Sequence, residues 1–194
     1  MSDPKESNRL GDLLKGGMER GVYPGAVAIV AYKGQKVLYE AVGNRSSVPY
    51  PAAMKKDTIF DLASLTKPLS TTPAVMKLVD EGRVGLDQHL SELLPSSSLG
   101  DKRGLTPRLL LSHSAGLADW KPFYEKLLDY ALEDRKRLLR RWIIEEPFAY
   151  EPCKGAIYSD LGFMLLEWVI EERTGESLRE FVHRHFCGPL GLKR

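Results

Sequence analysis

Near the start of the chain the apolar positions Leu10, Leu13, Leu14 and Met18 return every three to four places, the period of one helix face, and Gly21 then offers a stop. An amphipathic helix is predicted from about Asn8 to Arg20. The pattern then changes to two β-rich runs, "GAVAIVAY" and "KVLYEAVG", joined across "KGQ". Gly34 can take the positive φ of a tight turn, so a hairpin is expected. Two strands alone are marginal in water, and this pair needs either further strands or a helix against its face. Residues 44 to 57, "NRSSVPYPAAMKKD", read as loop.

Helical patterning dominates the remainder. Ile59 to Ala63 lead into Ser64, and a helix is expected on to Glu81, with Gly82 as its C-terminal glycine. Pro68 suits a first turn. Pro73 either kinks this helix or marks a second start, with Thr72 as N-cap and Pro73 at the first helical position. In "TPRLLLSHSAGL" Thr106 caps, Pro107 opens and Gly116 closes a short buried helix. Tyr124 to Glu145 is expected to be helical throughout. Its run "DRKRLLRRW" alternates basic residues with Leu138, Leu139 and Trp142, which favours a solvated face over a core stripe rather than a phosphate patch. "SDLGFMLLEWVIEERTG" predicts a helix capped by Ser159 or Asp160 and ended at Gly175, followed by a capping box formed by Ser177 and Glu180. No internal repeat and no low-complexity linker divides the chain.

Composition narrows the class. With 194 residues, 43% of them hydrophobic, the chain can bury one core or two small ones. Lys plus Arg number 28 against 26 Asp plus Glu, and a formal charge of +2 sets up no field that would gather nucleic acid or anionic lipid. Neither nucleic acid nor a membrane is an expected partner. Cys153 and Cys187 cannot form a disulfide framework and read as free thiols in a reducing compartment. The opening "MSDPKESNRL" holds no apolar signal core, and no run approaches the ~18 to 20 apolar residues that span a bilayer. A cytoplasmic location is therefore expected. His183 and His185 are two apart on a helix and point to different faces, so neither a metal nor a cofactor is expected.

The candidate chemistry starts at Ser64 and Lys67. Three residues apart on a helix, they share a face, with Cβ atoms ~5 to 6 Å apart, so the amine can reach the hydroxyl. Serine needs a base to become a nucleophile, and a lysine near a helix start in an apolar setting can lose its proton more easily. The bland reading is a solvated helix charge. Tyr158 stands just before a predicted helix start, where backbone donors and a cation can lower a phenol pKa and let it shuttle protons; the bland reading there is a ring packed on the core. His113 in "SHSAGL" reads as structural, because no aspartate is placed to complete a triad. Cys153 has only Lys154 nearby to activate it. Trp120 follows the "SAGL" turn and either borders a cleft or simply packs.

These segments, taken in order, resemble the serine β-lactamase-related hydrolases of the class C type, a group of esterases, D-aminopeptidases and penicillin-binding carboxypeptidases. "VYPGAVAIVAYKGQKVLYEAVG" looks like the family's opening hairpin, and "FDLASLTKP" like its nucleophile motif with Ser64 and Lys67 in the reactive positions. "EGRVGLDQHLSELLP" and "TPRLLLSHSAGL" look like its connecting segments, and "YEPCKGAIYSDLGFMLLEWVIEERTG" like its Tyr-x-Asn region. The resemblance implies an α+β, β-lactamase/transpeptidase-like fold. Residues 1–60 would supply the N-terminal helix and the hairpin of an antiparallel sheet, and residues 61–194 a helical part carrying the motifs.

Two departures from the family pattern bear on function. Asp160 stands where the family usually has asparagine; a carboxylate only accepts, so it would pair with Lys67, hold it protonated and make Tyr158 the likelier base. The family's third motif, on a late strand that supplies a second oxyanion N–H beside that of Ser64, has no counterpart before the chain ends at "GPLGLKR". The late strands are thus expected to be missing and activity impaired, with a second polypeptide or self-association covering the open sheet edge. The expected function is a serine hydrolase forming an acyl-enzyme on Ser64, with Lys67 and Tyr158 sharing general-base work and Asp160 and Trp120 facing a small ester, amide or β-lactam substrate. The alternatives are a non-catalytic binding or assembly relative, or a fragment that needs its other half.

Overall fold

The protein is described here from a computed structural model covering residues 4–192. The first three residues of the polar opening and the last two of "GPLGLKR" lie outside the described residues. The chain divides between Asp61 and Leu62 into two compact units.

The first unit holds helix α1 (Pro4–Glu19) and strands β1 (Gly25–Tyr32), β2 (Gln35–Ser46) and β3 (Ala52–Ala53). The helix begins four residues before the expected Asn8. Its sheet-facing side is made by glycine as much as by leucine. Gly11 and Gly17 are buried, and a Cβ at Gly17 would collide with the Tyr23 ring, whose hydroxyl donates to the Leu14 carbonyl at 2.9 Å. Leu13, expected on the buried face, is 63% exposed. The hairpin is antiparallel, with Gly25 opposite Gly43 and Tyr32 opposite Gln35. Its two-residue turn places both Lys33 (φ 48°) and Gly34 (φ 78°) in the left-handed region, the geometry whose twist matches that of the strands. The sheet has three strands, in the order β1-β2-β3, where the sequence predicted two followed by loop. β2 continues to Ser46, and Ala52 and Ala53 fold back on Ser46 and Asn44. A two-residue strand is too short to leave a period-two pattern, which is why it was hidden.

In the second unit Ala63–Leu65 is a 3-10 turn, Lys67–Thr71 a π-turn, and α2 spans Thr72–Asp80. The two prolines explain the irregular start. Pro73 has no N–H for the Leu69 carbonyl and its ring would crowd that oxygen in a regular helix. The wider turn, in which the Thr72 N–H donates to the Lys67 carbonyl, carries the chain past it. The helix therefore neither kinks at Pro73 nor starts on a Thr72 cap; Pro73 sits in the first turn of α2, behind Thr71.

Short helices α3 (Leu90–Leu93), α4 (Pro107–Leu111) and α5 (Phe123–Leu127) lead to α6 (Leu132–Glu145), α7 (Asp160–Thr174) and α8 (Leu178–Val182). Thr106 caps α4 as expected, accepting from the Leu109 N–H. The helix closes earlier than Gly116: the Ser112 hydroxyl donates to the Arg108 carbonyl at 2.8 Å and His113 turns the chain with φ 57°. Gly116 instead permits a close approach of the Tyr150 segment, since a Cβ there would strike the Tyr150 carbonyl. The single helix expected over Tyr124–Glu145 is two. Arg135 donates to the carbonyls of Leu128 and Tyr130 at 3.4 and 3.0 Å, satisfying the end of α5, while Ala131 is extended.

α7 is the hub. Leu161, Phe163, Leu165, Leu166, Trp168, Val169 and Ile170 are all buried, so apolar residues encircle the helix rather than line one stripe. Packed about it are Ala74, Val75 and Leu78 from α2, Leu110 from α4, Ile143 from α6 and Phe181 from α8. Both ends match the sequence: Ser159 accepts from the Gly162 N–H, and Gly175 closes the helix with φ 74°. The Ser177–Glu180 capping box is also formed. The basic run of α6 lies on the surface in ion pairs, with Lys136 and Arg140 each 2.6 Å from Glu171, and Arg140 over the Trp168 ring. Replacing the fully buried Leu165 by alanine is expected to lower stability by roughly 2 to 5 kcal/mol; a urea midpoint unchanged from wild type would show that α7 is not the core.

Candidate active site

The second unit contains a cleft of roughly 600 Å³ whose apolar walls include Leu62, Leu65, Pro68 and Phe163 and whose polar groups are Ser64, Lys67, Thr72, His113 and Tyr158. Ser64 lies in the 3-10 turn, directly after Ala63, whose φ of 44° is uncommon for a residue with a Cβ. Such strain is held only where the surroundings enforce it, and it clusters at functional positions. The Ser64 side chain is exposed to the cleft.

Lys67 reaches back along the same face. Its Nζ lies 3.4 Å from the Ser64 Oγ and 2.5 Å from Asp160 Oδ1, and it stands 4.8 Å from the centre of the Tyr158 ring. Partial burial opposes its charge, but hydrogen bonds to Asp160 and Tyr158 and the field of Asp160 outweigh that, and its pKa is raised above the ordinary lysine value. Tyr158 moves the opposite way. Hydrogen bonding to Ser64 and then to Lys67 lowers its pKa, with the ammonium's field adding to them. The cluster thus concentrates positive charge on the amine and makes the phenol the group that yields its proton more readily.

The Tyr158–Asp160 segment is hung on the loop after α4. The Ser159 N–H donates to His113 Nδ1 at 3.0 Å, the Ser159 hydroxyl donates to the Ala118 carbonyl at 2.6 Å, and the Asp160 N–H donates to the Asp119 carbonyl at 2.7 Å. Asp160 opens α7, where the helix dipole favours a carboxylate. The structure therefore brings Ser64, Lys67, Tyr158 and Asp160 together. Trp120 stands apart: its indole is 52% exposed, one residue beyond Asp119, and it is not among the residues lining the cleft. Two wall residues escaped the sequence reading. Phe163, whose ring centre lies 5.6 Å from Lys67 Nζ, follows Asp160 by three places on α7, a spacing that marks a shared face. His113 was legible only as structural. Cys153 is free and exposed, and among the described residues no His, Cys, Asp and Glu side chains gather to hold a metal. No helix among the described residues is long and apolar enough to cross a membrane.

A family model described as "Beta-lactamase" matches residues 10–194. Over 185 residues the chain is 31% identical to an N-acetylmuramyl-L-alanine amidase of Bacillus subtilis (strain 168), covering 88% of this chain and 42% of that protein. It is 33% identical over 183 residues to esterase EstB of Burkholderia gladioli, covering 87% of this chain and 46% of the relative. Among solved structures it superposes on EstCE1, described as a hydrolase with promiscuous acyltransferase activity, with a TM-score of 0.77 and 26% identity over 95% of this chain and 51% of that one. The fold is accordingly the α+β, β-lactamase/transpeptidase-like one, and the chain spans about half the length of the relatives it matches.

Replacing Asp160 by asparagine removes the carboxylate that favours the ammonium. The Lys67 pKa is expected to fall, and with it the pH at which the Lys67 ¹⁵Nζ resonance titrates. An unchanged titration would show that the ion pair does not set the charge of this amine. The sign extends to stability. A raised amine pKa contributes stability that is complete below the ordinary lysine value and is lost as pH climbs through the folded-state value, so the wild-type advantage over the variant should shrink in strong alkali.

Proposed function

Because this chain belongs to the beta-lactamase family, we propose that it carries the acyl-transfer site of a serine hydrolase, with Ser64 as nucleophile. The observation that supports this most directly is the Lys67 ammonium, 3.4 Å from the Ser64 hydroxyl, with the Tyr158 ring centre 4.8 Å from that ammonium in the same cleft.

Tyr158, its pKa lowered, acts as the phenolate and takes the Ser64 proton as the Oγ attacks the acyl carbonyl and a C–O bond forms. Lys67, kept cationic by Asp160, stabilises the phenolate and the charge developing near it. The tetrahedral intermediate collapses, the bond to the leaving oxygen or nitrogen breaks, and Tyr158 returns the proton to that group. Water then attacks the ester on Ser64 as the Tyr158 phenolate takes its proton; the acyl–Oγ bond breaks, the acid leaves, and Tyr158 returns that proton to the Ser64 Oγ. The Ser64 N–H is the backbone donor proposed to hold the oxyanion. Among the described residues β1 has β2 as its one sheet neighbour, which leaves one edge open to a further strand.

The apolar walls of the cleft suit a small ester with a hydrophobic acyl group, and amides and β-lactams present the same electrophilic carbonyl. Asp160 is proposed to face the substrate beyond the reacting carbon, whereas Trp120, outside the cleft lining, is given no part in binding it. Incubation with a fluorophosphonate or a penicillin is expected to add one adduct mass, and Ser64→Ala to lose it, with ester turnover down at least 10³-fold. Equal adduct formation on both proteins would remove Ser64 from the mechanism and leave a binding role for the site.

A further inference from the structure

We propose that His113 is a positioning residue of this site: a neutral imidazole whose Nδ1 and carbonyl together hold the two residues flanking Tyr158, so that protonating His113 releases the phenol and shuts the acid side of the reaction. The inference rests on the serine-hydrolase reading above, and it is built on contacts that no motif describes.

Tyr158 lies in a short stretch with no secondary structure of its own, between the Tyr150 segment and α7. Its two neighbours end on one residue. The Ile157 N–H donates to the His113 carbonyl at 3.1 Å, and the Ser159 N–H donates to His113 Nδ1 at 3.0 Å. The Tyr150 hydroxyl donates to that same carbonyl at 2.9 Å. Between these two anchors the Tyr158 ring lies on the imidazole, centres 4.6 Å apart, while Phe163 backs the imidazole at 5.2 Å. His113 itself is held at φ 57°, a conformation that costs free energy in a residue with a Cβ. The strain has a use here, because it turns ring and carbonyl toward the same segment.

The hydrogen bond fixes the protonation state it requires. A backbone N–H can only donate, so Nδ1 must present its lone pair and the ring proton must sit on Nε2. In the imidazolium both nitrogens are donors, and Nδ1–H would oppose the Ser159 N–H. The charged and titratable groups facing the ring are Lys67 from the π-turn, Asp160 from the start of α7 and Tyr158 from the segment between. Burial is the largest influence and Lys67 the next, both disfavouring the imidazolium, and the opposing pull of Asp160 does not overcome them. His113 is therefore neutral at neutral pH and gains its proton below the ordinary histidine range. At that point the Ser159 anchor is lost and a cation adjoins both Lys67 and the phenol.

The test uses His113→Asn and His113→Leu. The asparagine Oδ1 takes the place of Nδ1 as acceptor, tolerates a positive φ and does not titrate; leucine keeps bulk and loses the acceptor. In wild type, fluorophosphonate labelling of Ser64 should fall about tenfold per pH unit below the His113 titration. His113→Asn should label within tenfold of wild type at neutral pH and lack that acid limb, and His113→Leu should lose at least tenfold more. Alongside, ¹⁵N spectra of the His113 ring should show bare Nδ1 at neutral pH, and the Tyr158 ¹³Cζ signal should follow the His113 titration in wild type but stay flat across that range in His113→Asn. A protonated Nδ1 at neutral pH, or a Tyr158 signal blind to His113, overturns the proposal. If none of the proteins labels, the hydrolase reading fails, and the spectra still decide whether His113 holds the phenol.

Discussion

The candidate site is organised around the ion pair between Lys67 and Asp160, 2.5 Å apart and 93 positions apart in sequence. Lys67 belongs to the irregular start of α2 and Asp160 to the first residue of α7, so the pair ties the serine-bearing turn to the central helix of the second unit. The desolvation penalty on the amine is offset only because the carboxylate and the phenol both face it. The consequence is a division of labour. A lysine kept cationic is a poor base and a good electrostatic partner, and the neighbouring phenol is the group whose proton is loosened.

Much of this was legible because local signals and tertiary needs agree. Ser159 and Gly175 bracket α7 in the sequence as they do in space, and the spacing of Ser64 and Lys67 places hydroxyl and amine within reach of each other. Where the sequence was silent or misleading, the deciding interaction is between residues far apart. β3 exists because Ala52 and Ala53 meet β2, and two residues carry no period. The break between α5 and α6 is stabilised by Arg135 reaching back to two carbonyls, a contact that residue identity alone does not announce. Gly116 looked like a helix stop and serves a close approach of another loop.

His113 shows why the site was harder to read than the fold. As a residue type it invites a triad, and with no aspartate placed to complete one it reads from sequence as structural. Its contacts lie with Ile157, Ser159 and Tyr158, some 45 positions on, and two of them are with backbone groups that no side-chain pattern encodes. Structural and functional descriptions converge on such a residue: what it supports is the segment that carries the proposed base.

The π-turn at Lys67–Thr71 has an effect on rotational phase. A helix advances ~100° per residue, so the extra residue in this turn turns everything before it by about that angle relative to everything after. Ala74, Val75 and Leu78 can thus be aimed inward while Lys67 points across to α7, two orientations that an uninterrupted helix would fix to each other. Excising one residue here would leave composition and polarity almost untouched, yet swing the amine away from its carboxylate, so this stretch should tolerate exchange of side chains far better than any change in its length.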